Sequence, residues 1–463
     1  MRYTLTFLEE HYSSLTKHLF IDRSIERAAY LFCKLSDTDE EKRLLVQEVI
    51  PIPPNEIASA TARDVVIQQV SYRHALKHAD LSDACFVLVH SHPEGFLNHS
   101  PQDDDEETDF FRAAYVRIHN QRLIHGSVVI SDPNNPRGRV WLPDGAVKPI
   151  SRIRVLGRRF VFFDPDDQAL LDVSLFNRQI LAFGEHVQKL LSRLHIGIVG
   201  LGGTGSAVCE QLTRLGVGEL TICDPQNFEG TNINRVYGSR RSDEGAPKAD
   251  IAKRSMMDIG VGTQVRAIVG SISDEAVART FKDCDLIFGC TDDEWGRSVL
   301  SKMSVMYMIP VFDMGIEVDP QEHEIKSVRG RVTTLMPGSA CLFCRGGITS
   351  DAIQAEILRS INPAEYEERM HEGYVPGLPG NAPAVITFTS SVAATAVSEM
   401  LHRFTGYMGS TRESTEVILR FDESKISTNS KPARVECWCF DRNTWGRADV
   451  DPFLDMTWPN PVS

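Results

Sequence analysis

Residues 195–224 read HIGIVGLGGTGSAVCEQLTRLGVGELTICD. HIGIVG predicts a buried strand ending in glycines, SAVCEQLTRLG a helix and ELTICD the next strand. Together they make a βαβ unit of an open parallel sheet. Glycines after such a strand let backbone amides approach a phosphate, and the N-terminus of the following helix completes an anion site. The candidate cradle is Gly200, Gly202, Gly203 and Gly205. Asp224 closes the second strand, roughly where a ribose-binding acid belongs. These residues alone leave NAD and ATP both open.

The next motifs separate the two ligands. NINR supplies Asn232 and Arg235, GAPKAD supplies Lys248, and CTDDEWGR supplies Asp292 and Arg297. DCDLIFGCTDD reads as a strand with polar residues at its C-terminal end, where open parallel sheets place ligands. Two cations and a carboxylate around one glycine loop fit a triphosphate with Mg²⁺ better than a nicotinamide. From residue 172 to residue 463 these positions resemble the ThiF/MoeB-like adenylyltransferases of the ubiquitin-activating superfamily. The resemblance implies a Rossmann-like doubly wound domain that adenylates the C-terminal glycine of a ubiquitin-like protein. Asn232 would belong to the ATP site, Arg235 and Lys248 would contact phosphates, Asp292 would hold Mg²⁺, and Asp224 the ribose. FNRQILAFGEHVQKLL is similar to the family's opening helix. Its Arg178 would reach the ATP of the partner subunit in a homodimer.

A second motif lies upstream, HSHPEGFLNHSPQD at residues 90–103. ACFVLVHSHP reads as an apolar strand carrying His90 and His92 at its end, on one face because side chains alternate with period two. SPQDDDEETDFFRAAYVR opens with Ser-Pro and an acidic first turn, a helix N-terminus. Asp103 can therefore join the histidines as a third ligand. Two nitrogens and a carboxylate suit zinc with water in the fourth position. Such a water needs a general base, commonly a glutamate. Ser100 can offer its hydroxyl to an oxyanion. A lone His-x-His is more often two surface histidines, but serine and aspartate at these offsets complete a pattern. It resembles the JAB/JAMM (MPN) metallopeptidases over residues 1–160, which implies a cytidine-deaminase-like α/β domain. The family's glutamate ends its first helix, before a strand. Glu26 in SIERAAYLF, read as a helix running into a strand, matches that context, and Glu48 in LLVQEVIPIP is the competitor. The implied activity is removal or processing of a ubiquitin-like protein after its C-terminal glycine.

Cys341 and Cys344 in CLFC, with Cys437 and Cys439 in CWC, form two close pairs suited to a structural zinc site. In the superfamily both pairs are Cys-x-x-Cys; the second here is shorter. The remaining six cysteines are scattered. None lies between CLFC and the next long helix, where ubiquitin-activating enzymes carry the cysteine that takes the activated glycine. The enzyme is expected either to stop at the acyl-adenylate or to use a hydroxyl of Thr349, Ser350 or Ser360.

The 463 residues suit two or three domains, with a boundary expected within 145–172. Hydrophobic content of 42% and charged content of 24% describe a soluble globular protein, and the net charge of −14 argues against nucleic acid as a partner. No apolar run approaches the roughly 18 residues of a membrane span. The N-terminus lacks an apolar signal-peptide core. The expected compartment is the cytoplasm, with reduced cysteines. The fusion resembles proteins encoded beside ubiquitin-like and conjugating-enzyme genes in bacteria, so a conjugating-enzyme-like protein is an expected partner. The alternative is sulfur-carrier activation for thiocarboxylate-dependent biosynthesis, with JAB-mediated release.

Overall fold

The computed structural model describes residues 1–165, 172–321, 324–372, 374–378 and 383–459. The chain divides into two units, Met1–Gln168 with Gly446–Asp449, and Ala169–Trp445 with Val450–Ser463. The first unit therefore continues past the expected end at 160 and recovers a short piece of the C-terminal region. The expected boundary stretch carries the strands Val147–Pro149, Arg152–Leu156 and Phe160–Phe163. Arg152–Leu156 pairs in parallel with Arg2–Leu8, so this segment closes the first sheet. Residues 166–171 of that stretch lie outside the described residues.

The first unit is built on a nine-stranded mixed sheet. At its heart Cys85–Ser91 is buried at every position. It runs antiparallel to Ala28–Asp37 and parallel to His125–Ile130. Such double-sided burial explains the nearly unbroken apolar run ACFVLV. Residues 24–27, expected as a helix end, are not helical. Their amides are taken by other segments: Glu26 N–H donates to Thr61 O at 2.6 Å and Arg27 N–H to Ser91 Oγ at 3.0 Å. The helix Pro101–Arg117 follows, with Ser100 as its N-cap.

In the second unit an eight-stranded sheet is parallel over five strands and antiparallel over the last three. The parallel strands lie in the order Gln264–Val269, Glu219–Asp224, His195–Val199, Leu286–Gly289, Val311–Gln321. Chain progress reverses direction between His195–Val199 and Leu286–Gly289. The crevice outside their carboxyl ends is the position where open α/β sheets bind ligands. The helix Gly203–Arg214 starts there and packs against Ile386–Thr405. FNRQILAFGEHVQKLL, read as one helix, is two: Asn177–Phe183 and Glu185–Leu191. Gly184 between them sits at φ 84°, a left-handed conformation that glycine adopts without Cβ strain and that interrupts the helix. Among the described residues no helix is long and apolar enough to cross a membrane.

Candidate functional sites

The first site forms where the buried strand Cys85–Ser91 ends. Ser91 turns away from the pair and accepts from Arg27 N–H. The imidazoles of His90 and His92 converge, with Nε2 atoms 2.9 Å apart. Asp103, in the first turn of Pro101–Arg117, completes the group: Oδ1 lies 3.2 Å from His90 Nε2 and Oδ2 3.6 Å from His92 Nε2. Glu26 Oε1 is 4.0 Å from His92 Nε2. Glu26, His90 and His92 are all under 7% exposed, and they present ligand atoms within 4.8 Å of one another. Glu48 is elsewhere on its strand, exposed and paired with His78. His92 Nδ1 lies 3.1 Å from Phe96 O, which favours a proton on Nδ1 and leaves Nε2 free to ligate.

Electrostatics separate the two carboxylates. Burial raises Glu26 to about 7, against the opposing pull of His90 and His92. Burial also works to raise Asp103, but the close imidazoles of His90 and His92 and the Ser100 amide prevail and hold it far below the usual range. Ser100 is engaged locally. Its hydroxyl donates to Asp103 Oδ2 at 2.8 Å and accepts from Asp103 N–H, while its own amide donates to Asp103 Oδ2 at 2.6 Å. This reciprocal cap aims the aspartate. The hydroxyl proton expected for an oxyanion is committed to that carboxylate.

The second site lies at the reversal of strand order. Gly200 has φ 86°, and a Cβ there would stand 2.9 Å from the Cys290 carbonyl. A Cβ on Gly205 would lie 1.8 Å from Gly200 O, and one on Gly203 3.2 Å from the Thr389 side chain. Gly202 faces open space. The loop is thus packed tightly on its inner side and open where a ligand would approach. Asp224, expected against a ribose, is 5% exposed and uses both oxygens on backbone: Oδ2 accepts from Leu201 N–H at 2.7 Å and Oδ1 from Gln226 N–H at 2.8 Å. Burial raises its carboxyl, offset in part by those amides and Lys248.

The other expected residues frame the same end of the sheet. Lys248 begins the helix Lys248–Ile259 and donates to Gln226 Oε1 at 2.6 Å. Arg235 donates to Thr231 O at 2.7 Å, and its stem approaches Gly203. Asn232 is buried, its Oδ1 accepting from Glu229 N–H. Asp292 is exposed on the loop after Leu286–Gly289, while its neighbour Asp293 caps Glu294–Met306. Arg178 is exposed on Asn177–Phe183. Arg297 turns into the sheet and pairs with buried Asp313. Gln226 and Thr389 were not singled out in the sequence. Gln226 follows Asp224 by two positions and could have been found by alternation; Thr389 comes from a distant helix, which local spacing cannot reveal.

The cysteine pairs meet. Cys341 Sγ lies 3.6 Å from Cys437 Sγ, Cys344 Sγ 3.6 Å from Cys439 Sγ, and Cys437 Sγ 3.5 Å from Cys439 Sγ. The short Cys-x-Cys pair reaches one point because the turn Trp438–Phe440 folds it back. A hydrogen bond from Cys439 pulls the Cys341 thiol down to about 5, outweighing burial. Four convergent sulfurs fit a closed tetrahedral zinc site.

Comparison with known proteins places the match in the second unit: the model of the ThiF family matches residues 176–439. A tRNA threonylcarbamoyladenosine dehydratase of Bacillus subtilis is 29% identical over 33% of this chain and 62% of its own length. The sulfur carrier protein ThiS adenylyltransferase of the same organism is 29% identical over 38% and 53%. A ubiquitin-like modifier-activating enzyme 5 of Oryza sativa is 27% identical over 32% and 37%. The chain thus spans between 37% and 62% of the length of these relatives. Among solved structures, Escherichia coli MccB with ATP aligns with a TM-score of 0.45 and 17% identity, over 60% of this chain and 76% of that one.

Proposed function

The chain belongs to the ThiF family, whose model covers residues 176–439, and from that membership we propose that its second unit adenylates the C-terminal glycine of a ubiquitin-like or sulfur-carrier protein. The observation that carries this reading is the glycine loop, held by Asp224 and pressed against the Cys290 loop at the reversal of strand order. In the reaction the glycine carboxylate attacks the α-phosphorus of ATP, forming the acyl-adenylate as pyrophosphate leaves. Arg235 and Lys248 neutralise phosphate charge as it develops. Asp292 would hold Mg²⁺, which supplies charge compensation on the leaving phosphates, and Arg178 would act across a homodimer.

The acyl-adenylate is the end point on this chain. The Thr349 hydroxyl caps Ser350–Ile361 and bonds Glu294, and the Ser360 hydroxyl donates to Ile357 O. The Ser360 hydroxyl is spent on a helix carbonyl, and the Thr349 hydroxyl, although it meets the Glu294 carboxylate at 3.3 Å, is held in the helix cap by Ala352 N–H. A second protein, of conjugating-enzyme type, would then receive the glycine. Sulfur-carrier activation is the alternative, favoured by the likeness to the ThiS adenylyltransferase. Net charge of −14 weighs against a tRNA substrate.

A second reading covers the first unit, because buried Glu26, His90 and His92 converge, with half-buried Asp103 3.2 Å from His90. We propose a metallopeptidase of JAB/JAMM type that trims or removes the same modifier. The buried donor set fits zinc, which supplies a polarised water when bound. His90, His92 and Asp103 would hold it, and Glu26 would take and return the proton.

The test mixes a Glu26→Ala chain with ATP, Mg²⁺ and a candidate ubiquitin-like protein, and reads intact masses before and after thiol or hydroxylamine treatment. An adenylated partner with no adduct on this chain supports the adenylyltransferase that hands on directly. A hydroxylamine-labile, thiol-resistant adduct points to an oxyester, and a thiol-labile one overturns the structural assignment of the cysteines. Conversion of the partner to a thiocarboxylate with an added sulfur donor would favour the sulfur-carrier alternative.

A further inference from the structure

Gln226 ties the end of the strand Glu219–Asp224 to the first residue of the helix Lys248–Ile259. Its N–H donates to Asp224 Oδ1 at 2.8 Å, and its C=O accepts from Lys248 N–H at 3.0 Å. A bridge between Asn227 and Pro247 joins the same two segments one step further on. From this fixed backbone the side chain reaches Lys248, whose Nζ donates to Gln226 Oε1 at 2.6 Å. Lys248 is only 8% exposed, whereas Gln226 is exposed.

A sheltered ammonium ordinarily pairs with a carboxylate. Asp224 has both oxygens on backbone amides. Among the described residues the acceptor for Lys248 Nζ is instead the uncharged amide of Gln226. An amide oxygen orients an ammonium without cancelling its charge. One of the three ammonium protons is committed to Gln226, and two stay available to a ligand. A carboxylate in the same place would make a neutral pair, which an incoming phosphate would have to share or displace.

We propose that Gln226 is a positioning residue for adenylation, holding Lys248 at the crevice with its charge intact for the phosphates of ATP. The proposal rests on the adenylyltransferase reading and adds the residue that sets the charge of this phosphate contact. Donors aimed before the ligand arrives cost no reorganisation when charge develops. A purely structural brace would be served as well by glutamate, which has the same shape and bonds an ammonium more strongly. That difference separates the two roles.

The test is calorimetric titration of the full chain with ATP and Mg²⁺. Gln226→Glu is expected to weaken ATP at least about tenfold, the size of one charge-assisted contact. Gln226→Met, similar in length but without an acceptor for the ammonium, is expected to weaken ATP about two- to tenfold. It should have no effect in a Lys248→Ala background, because it acts through that lysine. Unchanged or tighter ATP binding by Gln226→Glu, or an equal loss from Gln226→Met with and without Lys248, overturns the proposal. Should the glutamate variant not fold, the Gln226→Met cycle decides alone. ATP–pyrophosphate exchange dependent on a ubiquitin-like or sulfur-carrier protein is measured on the same preparations. The expected affinities without exchange in the unsubstituted chain remove the adenylyltransferase reading, whereas exchange with an ATP affinity that Gln226→Glu leaves unchanged removes only the role of Gln226. No ATP binding by the unsubstituted chain removes both.

Discussion

Gly205 shows how little room single residues have at the adenylation site. A methyl group there would sit 1.8 Å from Gly200 O. Gly205→Ala is therefore expected to displace the glycine loop, abolish ATP–pyrophosphate exchange and cost about 1–3 kcal/mol in a denaturant titration. Asp224 anchors the same loop through Leu201 and Gln226 amides. Asp224→Ala strands two buried donors, and loss of ATP binding by calorimetry is the expected result; wild-type affinity would refute its anchoring role. In the first unit Glu26→Gln keeps size and removes the base. Isopeptide hydrolysis is expected to fall about 10²–10⁴-fold with the zinc content unchanged.

Among elements, the helix Pro101–Arg117 links a local rule to the metal site. Its Ser100–Asp103 capping box satisfies helix amides and also turns Asp103 toward His90 and His92. Ser100→Ala should cost about 1 kcal/mol of stability through the lost cap. It should also weaken zinc binding about 10–100-fold, as loss of an orienting partner does. Competition with a chromophoric chelator checks the second figure; unchanged affinity would return Ser100 to a purely structural role. The Trp438–Phe440 turn acts similarly on Cys437 and Cys439. Removing metal from the four cysteines with a chelator is expected to lower the melting temperature of the second unit, and Cys439→Ser to abolish that response.

On the scale of the whole molecule, acid stability should depend on a buried network in the first sheet. Glu41, 1% exposed, receives bonds from Thr4, Arg43 and Arg154. Burial alone would raise its carboxyl, but the charges of Arg43, Arg154 and Arg2 together hold it well below its ordinary value of 4.5. A group depressed in the folded state gives stability that is complete above its unfolded pKa and is lost as pH falls toward the folded one. The first unit should therefore weaken below about pH 4.5 through Glu41. Glu41→Gln should flatten that acid limb and, by removing the carboxylate that Arg43 and Arg154 share, lower stability at neutral pH, measured by urea denaturation.

The sequence by itself determined what short spacing can encode. The βαβ pattern with Gly200 to Gly205, the alternation that pairs His90 with His92, and the Ser100–Asp103 helix start depend on neighbours within one turn or one strand. Tertiary structure alone decided which distant groups join them. Hydrophobic burial fixes the sheet registers, and those registers bring the Cys290 loop onto Gly200; they also seat Glu26 beside His92 and join the two cysteine pairs, both already expected from the sequence. The same long-range packing gave Asp224 the Leu201 amide and Lys248 the Gln226 side chain. Neither follows from a pattern of adjacent residues, because each depends on where a remote backbone or side chain comes to rest.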